Sequence, residues 1–412
     1  MAKIWINKTA VADYRRVQGR TTALAYQPAA TAGDSICVAM PFRPEPYTPL
    51  AGAGRDRQLF PFFAMSLPEG GFRQRLDALL RQRLPNYDDM TLLEIVGHST
   101  IGRVRVLRDT ATVEPEPPSF DVADLLKQHG GRELFDDLFE RFTSSAGVSG
   151  AQPKLLIHDK MSAAQKRLTV KEATHILKTF DPREHPHLAA NEYLCLLAAK
   201  KAGMPVPDVH LSADGSLLAV ERFDILPDGK FLGFEDVCSL EMLHPEDKYS
   251  GSYEQVARTL LTTLRRAPER LLEGMENFFK NVVLSVTLRN GDAHRKNFGL
   301  LYDSPVSANC LLAPAYDVVT TTCYLKNDRL ALMFNGSKNW PGKKALIAFG
   351  ERCLLSKSQS EKAIETVCDA VADTRRNTLK GAVPLPDSSI AGLKEMFAAW
   401  ESGLRSFSSE AL

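Results

Sequence analysis

The chain lacks three features that would narrow its class at once. No stretch approaches the roughly eighteen uninterrupted apolar residues of a membrane-spanning helix, so no membrane association is expected. Charge of one sign is not in excess either. Lys and Arg total 51 against 50 Asp and Glu, so no global positive field points to nucleic acid. The third absence is paired cysteine. Cys37, Cys195, Cys238, Cys310, Cys323, Cys353 and Cys368 are scattered, odd in number and never spaced as a metal-binding pair, which suits a reducing cytosol. The opening Met-Ala-Lys-Ile-Trp-Ile-Asn7 alternates like a strand rather than like a signal peptide, and a cytoplasmic location is the expectation.

What is present is enough chain, 412 residues, for two or three domains with full cores. Residues 1–112 mix short strand-like runs (Lys3 to Asn7, Ala23 to Tyr26, Ile36 to Met40, Gly102 to Leu107) with two helical stretches, and read as a small α/β subdomain. Pro115, Pro117 and Pro118 then mark a stiff linker, because proline fixes its own torsion and biases its predecessor away from helix. A second mixed unit is expected over 119–225. From 226 to 412 helical patterns dominate, with apolar faces over Tyr253 to Arg265, Leu271 to Leu288 and Lys357 to Val371.

The most informative stretch is Asn-Gly-Asp-Ala-His-Arg-Lys-Asn297, followed by Ala-Tyr-Asp-Val318. Asp292 precedes Asn297 by five residues, the Asp-to-Asn spacing of a kinase catalytic loop. In phosphoryl transfer one carboxylate accepts the proton of, or orients, the attacking hydroxyl, while an Asn and a second carboxylate hold magnesium. Asp292, Asn297 and Asp317 divide in that way, and their hard oxygens suit magnesium. The bland alternative is that Asn-Gly-Asp is a turn and Asp317 a helix cap, since all three residue types are common there.

Upstream, Thr143 to Gln152 is small and flexible and leads into a strand, as a loop laying backbone N–H groups on phosphates would. Such loops are also ordinary connections. Thr174-His-Ile-Leu-Lys178 is an alternating strand ending in a lysine that either reaches phosphates or faces solvent at an edge. Glu192 stands near the start of a helix over Leu188 to Ala202, either as that lysine's partner or as an exposed first-turn carboxylate. The apolar Leu217 to Val220 and the following Glu-Arg-Phe-Asp224 read as a strand and hinge.

Taken in order, Gly-Val-Ser-Gly-Ala-Gln-Pro-Lys154, His-Ile-Leu-Lys178, Val-Glu-Arg-Phe-Asp224, Phe-Glu-Asp-Val-Cys238, Asn-Gly-Asp-Ala-His-Arg-Lys-Asn297 and Ala-Tyr-Asp-Val318 resemble the HipA-family toxin kinases. The first subdomain, with its Leu-Pro-Glu-Gly70 turn, resembles that family too. The resemblance implies an α+β, kinase-like two-lobe fold distantly like lipid kinases, with a small N-terminal subdomain, a mixed α/β lobe and an all-helical C-terminal lobe. It implies a serine/threonine protein kinase of a type II toxin–antitoxin system that uses ATP and Mg2+ and arrests growth. The target would be a translation component, commonly an aminoacyl-tRNA synthetase. The partner would be a helix-turn-helix, HipB-like antitoxin, with operator DNA reached through it.

Carried over by position, Asp292 would be the catalytic base and His294 would help place the γ-phosphate. Asn297 and Asp317 would hold the metal. ATP would be met by Val148, Ser149, Gly150, Ala151, Gln152, Lys154, Lys178 and Asn297, with the backbones of Glu221 and Phe223 at the adenine. Many relatives open the phosphate loop with an autophosphorylated serine where this chain has Gly147; Ser149 is the replacement site the resemblance implies. Two other readings stay open. Small-molecule kinases share the Asp-to-Asn spacing but generally carry a histidine two residues before the aspartate, where this chain has Asn290. An inactive antitoxin-binding co-repressor is the other.

Overall fold

The computed structural model describes residues 1–17, 22–48, 59–84, 86–108, 119–127, 154–159, 174–179 and 185–408. Among them the strands are β1 (Ala2–Ile6), β2 (Thr9–Arg16), β3 (Thr22–Tyr26), β4 (Val104–Arg108), β5 (Ser119–Phe120), β6 (Lys154–Asp159), β7 (His175–Thr179), β8 (Val209–Leu211), β9 (Leu217–Glu221), β10 (Gly233–Asp236), β11 (Gly299–Tyr302) and β12 (Cys310–Leu312). The α-helices are α1 (Pro61–Ala64), α2 (Gly70–Arg83), α3 (Asp89–Val96), α4 (Val122–Lys127), α5 (Leu188–Lys201), α6 (Val237–Leu240), α7 (Tyr253–Leu264), α8 (Pro268–Leu288), α9 (Lys343–Arg352), α10 (Lys357–Leu379), α11 (Asp387–Gly392) and α12 (Lys394–Ser408).

The first subdomain is an antiparallel sheet in the order β3-β2-β1-β4. Period-two alternation turns Ala2, Ile4 and Ile6 inward, where they share a core with Tyr14, Phe63, Leu76 and Leu92. Ile36 to Met40, expected as a strand, is irregular. Ile36, Cys37 and Met40 are fully buried, and Val38 donates its N–H to Glu235 Oε2 at 2.8 Å instead of to a neighbouring strand. A buried amide needs a partner, and here a side chain supplies it.

The second sheet runs β5-β6-β7-β9-β8, antiparallel apart from the β5–β6 pair. Helix α5 packs along β8 and β9 and ends where Gly203 takes a φ of 75°, the left-handed turn that stops a helix. Beyond it lies the helical lobe. Helix α8 starts at Pro268 in its first turn and runs through the core, touching α5, α7, α10 and α12. Its Met275, Phe278, Phe279, Val282, Val283 and Val286 are buried, and its charged residues, Glu269 to Lys280, keep to the N-terminal part.

The two-lobe, kinase-like plan holds, with one correction. The C-terminal lobe is not all-helical: β10, β11 and β12 form a three-stranded antiparallel sheet within it. Phe298 to Tyr302 is legible as a hairpin-length strand and corresponds to β11, but its partner Gly233–Asp236 lies far away in the chain, so that pairing was decided by tertiary contact.

Candidate active site

The β11–β12 hairpin sets the site. Asn297 lies just before β11 and Asp317 just after β12, and an antiparallel hairpin returns its two free ends to the same place. Ala313 N–H donates to Gly299 O at 2.8 Å, extending the pairing toward that end. The Asn297 amide nitrogen accordingly stands 3.5 Å from Asp317 Oδ2. Asp317 itself has a φ of 57°, a left-handed conformation that aspartate tolerates better than most residues.

The loop carrying Asp292 begins where α8 stops. Arg289 is left-handed, with φ 58°, and reverses the chain. Gly291 then gives its N–H to Thr321 Oγ1 at 2.7 Å, and a Cβ on this glycine would collide with the Asp328 carboxylate. Tyr253 donates to Ala293 O at 2.9 Å and Tyr316 to Lys296 O at 2.7 Å, fastening the loop to α7 and to the Asp317 segment. His294 donates its N–H to Asn297 Oδ1 at 2.9 Å, which orients the asparagine.

Lys178 arrives from β7. It is buried between Glu192, which it contacts closely, and Asp317 Oδ1 at 2.7 Å. Burial pulls an ammonium toward neutrality, but the two carboxylates outweigh it and hold the Lys178 pKa above the ordinary lysine value. Glu192 is therefore no exposed first-turn carboxylate: it is 1% exposed and faces the lysine. Its neighbour on α5, Asn191, accepts from Thr320 N–H at 2.9 Å and donates to Thr320 O at 3.0 Å, so one helix holds both the lysine's partner and the segment after Asp317.

The titrating groups differ in setting. Burial raises the Asp292 carboxyl above the usual range, against a hydrogen bond from Tyr249, whose hydroxyl donates to Asp292 Oδ1 at 2.6 Å. Burial, followed by the nearby Lys248 charge, pushes His294 down to about 3, so the imidazole is neutral at pH 7. His294 Nδ1 is a buried atom without a hydrogen-bond partner. Such an orphan fits a site that takes a polar ligand. A carboxylate with one oxygen facing an asparagine also fits a divalent cation that takes its remaining oxygens from phosphates and water. No cluster of three or more His, Cys, Asp or Glu residues suited to a metal occurs among the described residues. The residues present therefore fit magnesium accompanied by a nucleotide, not a protein-only metal cage.

Two models of known domains match the chain: the HipA N-terminal domain over residues 2–107 and the HipA-like C-terminal domain over residues 146–375. The chain belongs to the HipA family. It is 27% identical over 305 residues to a kinase-named protein, Y4mE, of Sinorhizobium fredii, covering 70% of this chain and 69% of the relative. It is 23% identical over 299 residues to the serine/threonine-protein kinase toxin HipA of Shewanella oneidensis, covering 68% and 67%. A solved structure of the Shewanella oneidensis HipA, with HipB and its operator DNA, superposes with a TM-score of 0.69 at 19% identity over 100% of this chain and 99% of that one. At that identity the superposition establishes the HipA fold.

Five of the expected ATP-binding residues, Val148, Ser149, Gly150, Ala151 and Gln152, lie outside the described residues, and with them the expected modification site. Lys154 pairs with Lys178 across β6 and β7, which places its backbone beside the lysine. At the hinge, Glu221 gives its N–H to Asp208 O at 2.8 Å, so that amide is committed within the fold. The Phe223 ring packs against Phe234 and Tyr316, the residue before Asp317. Within the HipA fold two further residues at the site had no role from sequence. Tyr249 is one. Glu69, from the Leu-Pro-Glu-Gly70 turn, is the other: it pairs with Lys296 at 2.5 Å and with Lys248 at 2.6 Å. The turn was visible as a motif, but its place against the Asp292 loop was not.

Proposed function

We propose that this chain is an ATP-dependent protein serine/threonine kinase and the toxin of a type II toxin–antitoxin module. The observation that carries the reading is Lys178, buried and paired with both Glu192 and Asp317 beside the Asp292–Asn297 loop. A strand lysine paired with a helix glutamate and set against a metal-binding carboxylate is the arrangement protein kinases use to hold triphosphate.

In the reaction, a serine or threonine oxygen bonds to the γ-phosphorus, the bond to the β–γ bridging oxygen breaks, ADP leaves, and the hydroxyl proton passes to Asp292. Desolvation raises the basicity of Asp292, which suits it to accept that proton. Asn297 and Asp317 would hold Mg2+, which supplies charge neutralisation at the phosphates. Lys178 would contact the phosphates, His294 would offer a neutral polar atom to the γ-phosphate, and Phe223 and Glu221 would border the adenine. Ser149 would be the regulatory modification site. The phosphorylated target would be a translation component, in first place an aminoacyl-tRNA synthetase. A HipB-like helix-turn-helix antitoxin would be the partner, supported by the HipB complex of the Shewanella oneidensis relative.

The test is growth on induction of the wild type beside Asp292→Gln, followed by phosphoproteomics of the same cells. Arrest by the wild type alone, with a new phosphoserine or phosphothreonine on one translation protein, is the expected result. Equal growth with both, with Mg-ATP binding demonstrated and Ser149 free of phosphate, would remove the toxin assignment.

A further inference from the structure

Tyr249 makes a contact that the roles above leave unused. Its hydroxyl donates to Asp292 Oδ1 at 2.6 Å. An incoming serine or threonine hydroxyl has to make the same bond, O–H to carboxylate oxygen, before its proton can pass to Asp292. The phenol therefore copies the contact of the acceptor.

Around it, a pinned backbone carries a movable side chain. Arg295 holds both neighbours: its N–H donates to Lys248 O at 3.2 Å and its Nε to Ser250 O at 2.9 Å. Arg295 is itself anchored to Glu241 at 2.5 Å. Gly251, at φ 79°, completes the turn, and a Cβ there would collide with the Arg295 guanidinium. Tyr249 as a residue nevertheless stays 44% exposed. One edge of its ring meets His294, with centroids 5.0 Å apart and planes at 78°, and the Lys248 ammonium lies 5.3 Å from its centroid. Rotation about its side-chain torsions lifts the phenol off Asp292 without moving the loop, and exposed side chains make such moves rapidly.

We propose that Tyr249 is a displaceable surrogate for the acceptor hydroxyl. It covers Asp292 while no protein substrate is docked, and yields its place to the serine or threonine of one that is. The inference rests on the kinase reading and extends it to acceptor choice. Water and small alcohols make few contacts with which to replace a charge-assisted hydrogen bond, whereas a docked polypeptide makes many. Tyr249 thus favours a protein acceptor and suppresses the futile reaction, in which water oxygen bonds to the γ-phosphorus, ADP leaves and the water proton passes to Asp292.

The test compares full-length wild type with Tyr249→Phe and Tyr249→Ala. Mg-ATP binding is followed with a fluorescent ATP analogue, and hydrolysis without any protein acceptor by phosphate release. Tyr249→Phe is expected to bind nucleotide as the wild type does and to hydrolyse ATP about tenfold faster, the size of effect one hydrogen bond to a charged group produces. Tyr249→Ala should hydrolyse at least as fast. Loss of a merely structural contact would lower the rate, so the direction of change separates the two roles. Unchanged or slower hydrolysis in both variants, with nucleotide binding intact, overturns the surrogate role and leaves the kinase reading standing. A wild type that binds no Mg-ATP overturns both.

Discussion

Two three-charge clusters flank the Asp292 loop, and they are inverses of each other. In one, Lys178 stands between the carboxylates of Glu192 and Asp317. In the other, the Glu69 carboxylate stands between Lys248 and Lys296. The first is dry at Lys178 and Glu192, with side-chain exposures of 6% and 2%, and opens only at Asp317, which is 34% exposed. The second has no such dry pair, with Lys296 at 14%, Lys248 at 20% and Glu69 at 32%. Burial opposes charge in both, and in both the partners win: Lys178 stays protonated above its ordinary range, and Glu69 is held down at about 2 by Lys296 and Lys248. The first cluster has a surplus negative charge beside the expected metal site. The second has a surplus positive charge that ties the first subdomain to the loop bearing Asp292 and Asn297. The difference teaches that one joins parts of the chemistry, while the other joins domains.

The largest expected effect lies in the dry cluster. Lys178→Met leaves Glu192 buried without its cation, and should cost about 3 kcal/mol or more of stability together with nearly all phosphoryl transfer. Urea unfolding and radiolabelled phosphate transfer read the two losses, and a variant as stable as the wild type would contradict the pairing.

Glu235, a fully buried carboxylate outside both clusters, sharpens the comparison because the groups it bonds are neutral. Glu235 accepts from Val38 N–H at 2.8 Å and from the hydroxyls of Ser239 and Tyr302, each at 3.3 Å. Burial lifts it to about 7. Its folded pKa exceeds its unfolded value of about 4.3, so the folded state retains a proton that the unfolded chain releases. Its contribution to stability therefore falls as pH rises from about 4.3 to about 7, and is flat beyond. Glu235→Gln should remove about 3 kcal/mol of that dependence, measured by urea titrations at pH 4.5, 6 and 8. A wild-type slope surviving in the variant would place the titration elsewhere.

Glu69→Gln, in the wetter cluster, should cost only about 1 kcal/mol of stability. Its clearer effect is expected on rate, a several-fold fall in turnover with ATP affinity kept, because Lys296 lies between Asp292 and Asn297 on the same loop. Equal turnover would reduce the Glu69 clamp to a plain surface contact. The smallest effect is on acid tolerance. The depressed Glu69 carboxyl contributes stability above the unfolded value of about 4.3, and this is lost as pH falls toward about 2. Acid titration of wild type and Glu69→Gln should therefore converge at the low end.

Much of the candidate site is legible in the sequence. Asp292 and Asn297 stand out by their five-residue separation, and Asp317 as the second carboxylate in Ala-Tyr-Asp-Val318. Lys178 and Glu192 were visible as types on a strand and a helix, yet each had an exposed reading, and only the packing of α5 against the sheet made them partners. Tyr249 had no signal, since a tyrosine between lysine and serine in a turn resembles any surface residue. Ile36 to Met40 failed as a strand for a related reason: apolar spacing shows that a segment is buried but not which group takes its amides.

By itself, then, the sequence determined the local elements, through period and punctuation, and the chemical inventory of the Asp292 loop. Tertiary structure decided which charges meet. Glu69 and Lys296 are separated by 227 positions, and Lys178 and Asp317 by 139. No local propensity reaches across such distances; contacts of that kind form only when independent elements share a buried surface and the charges brought there must be neutralised.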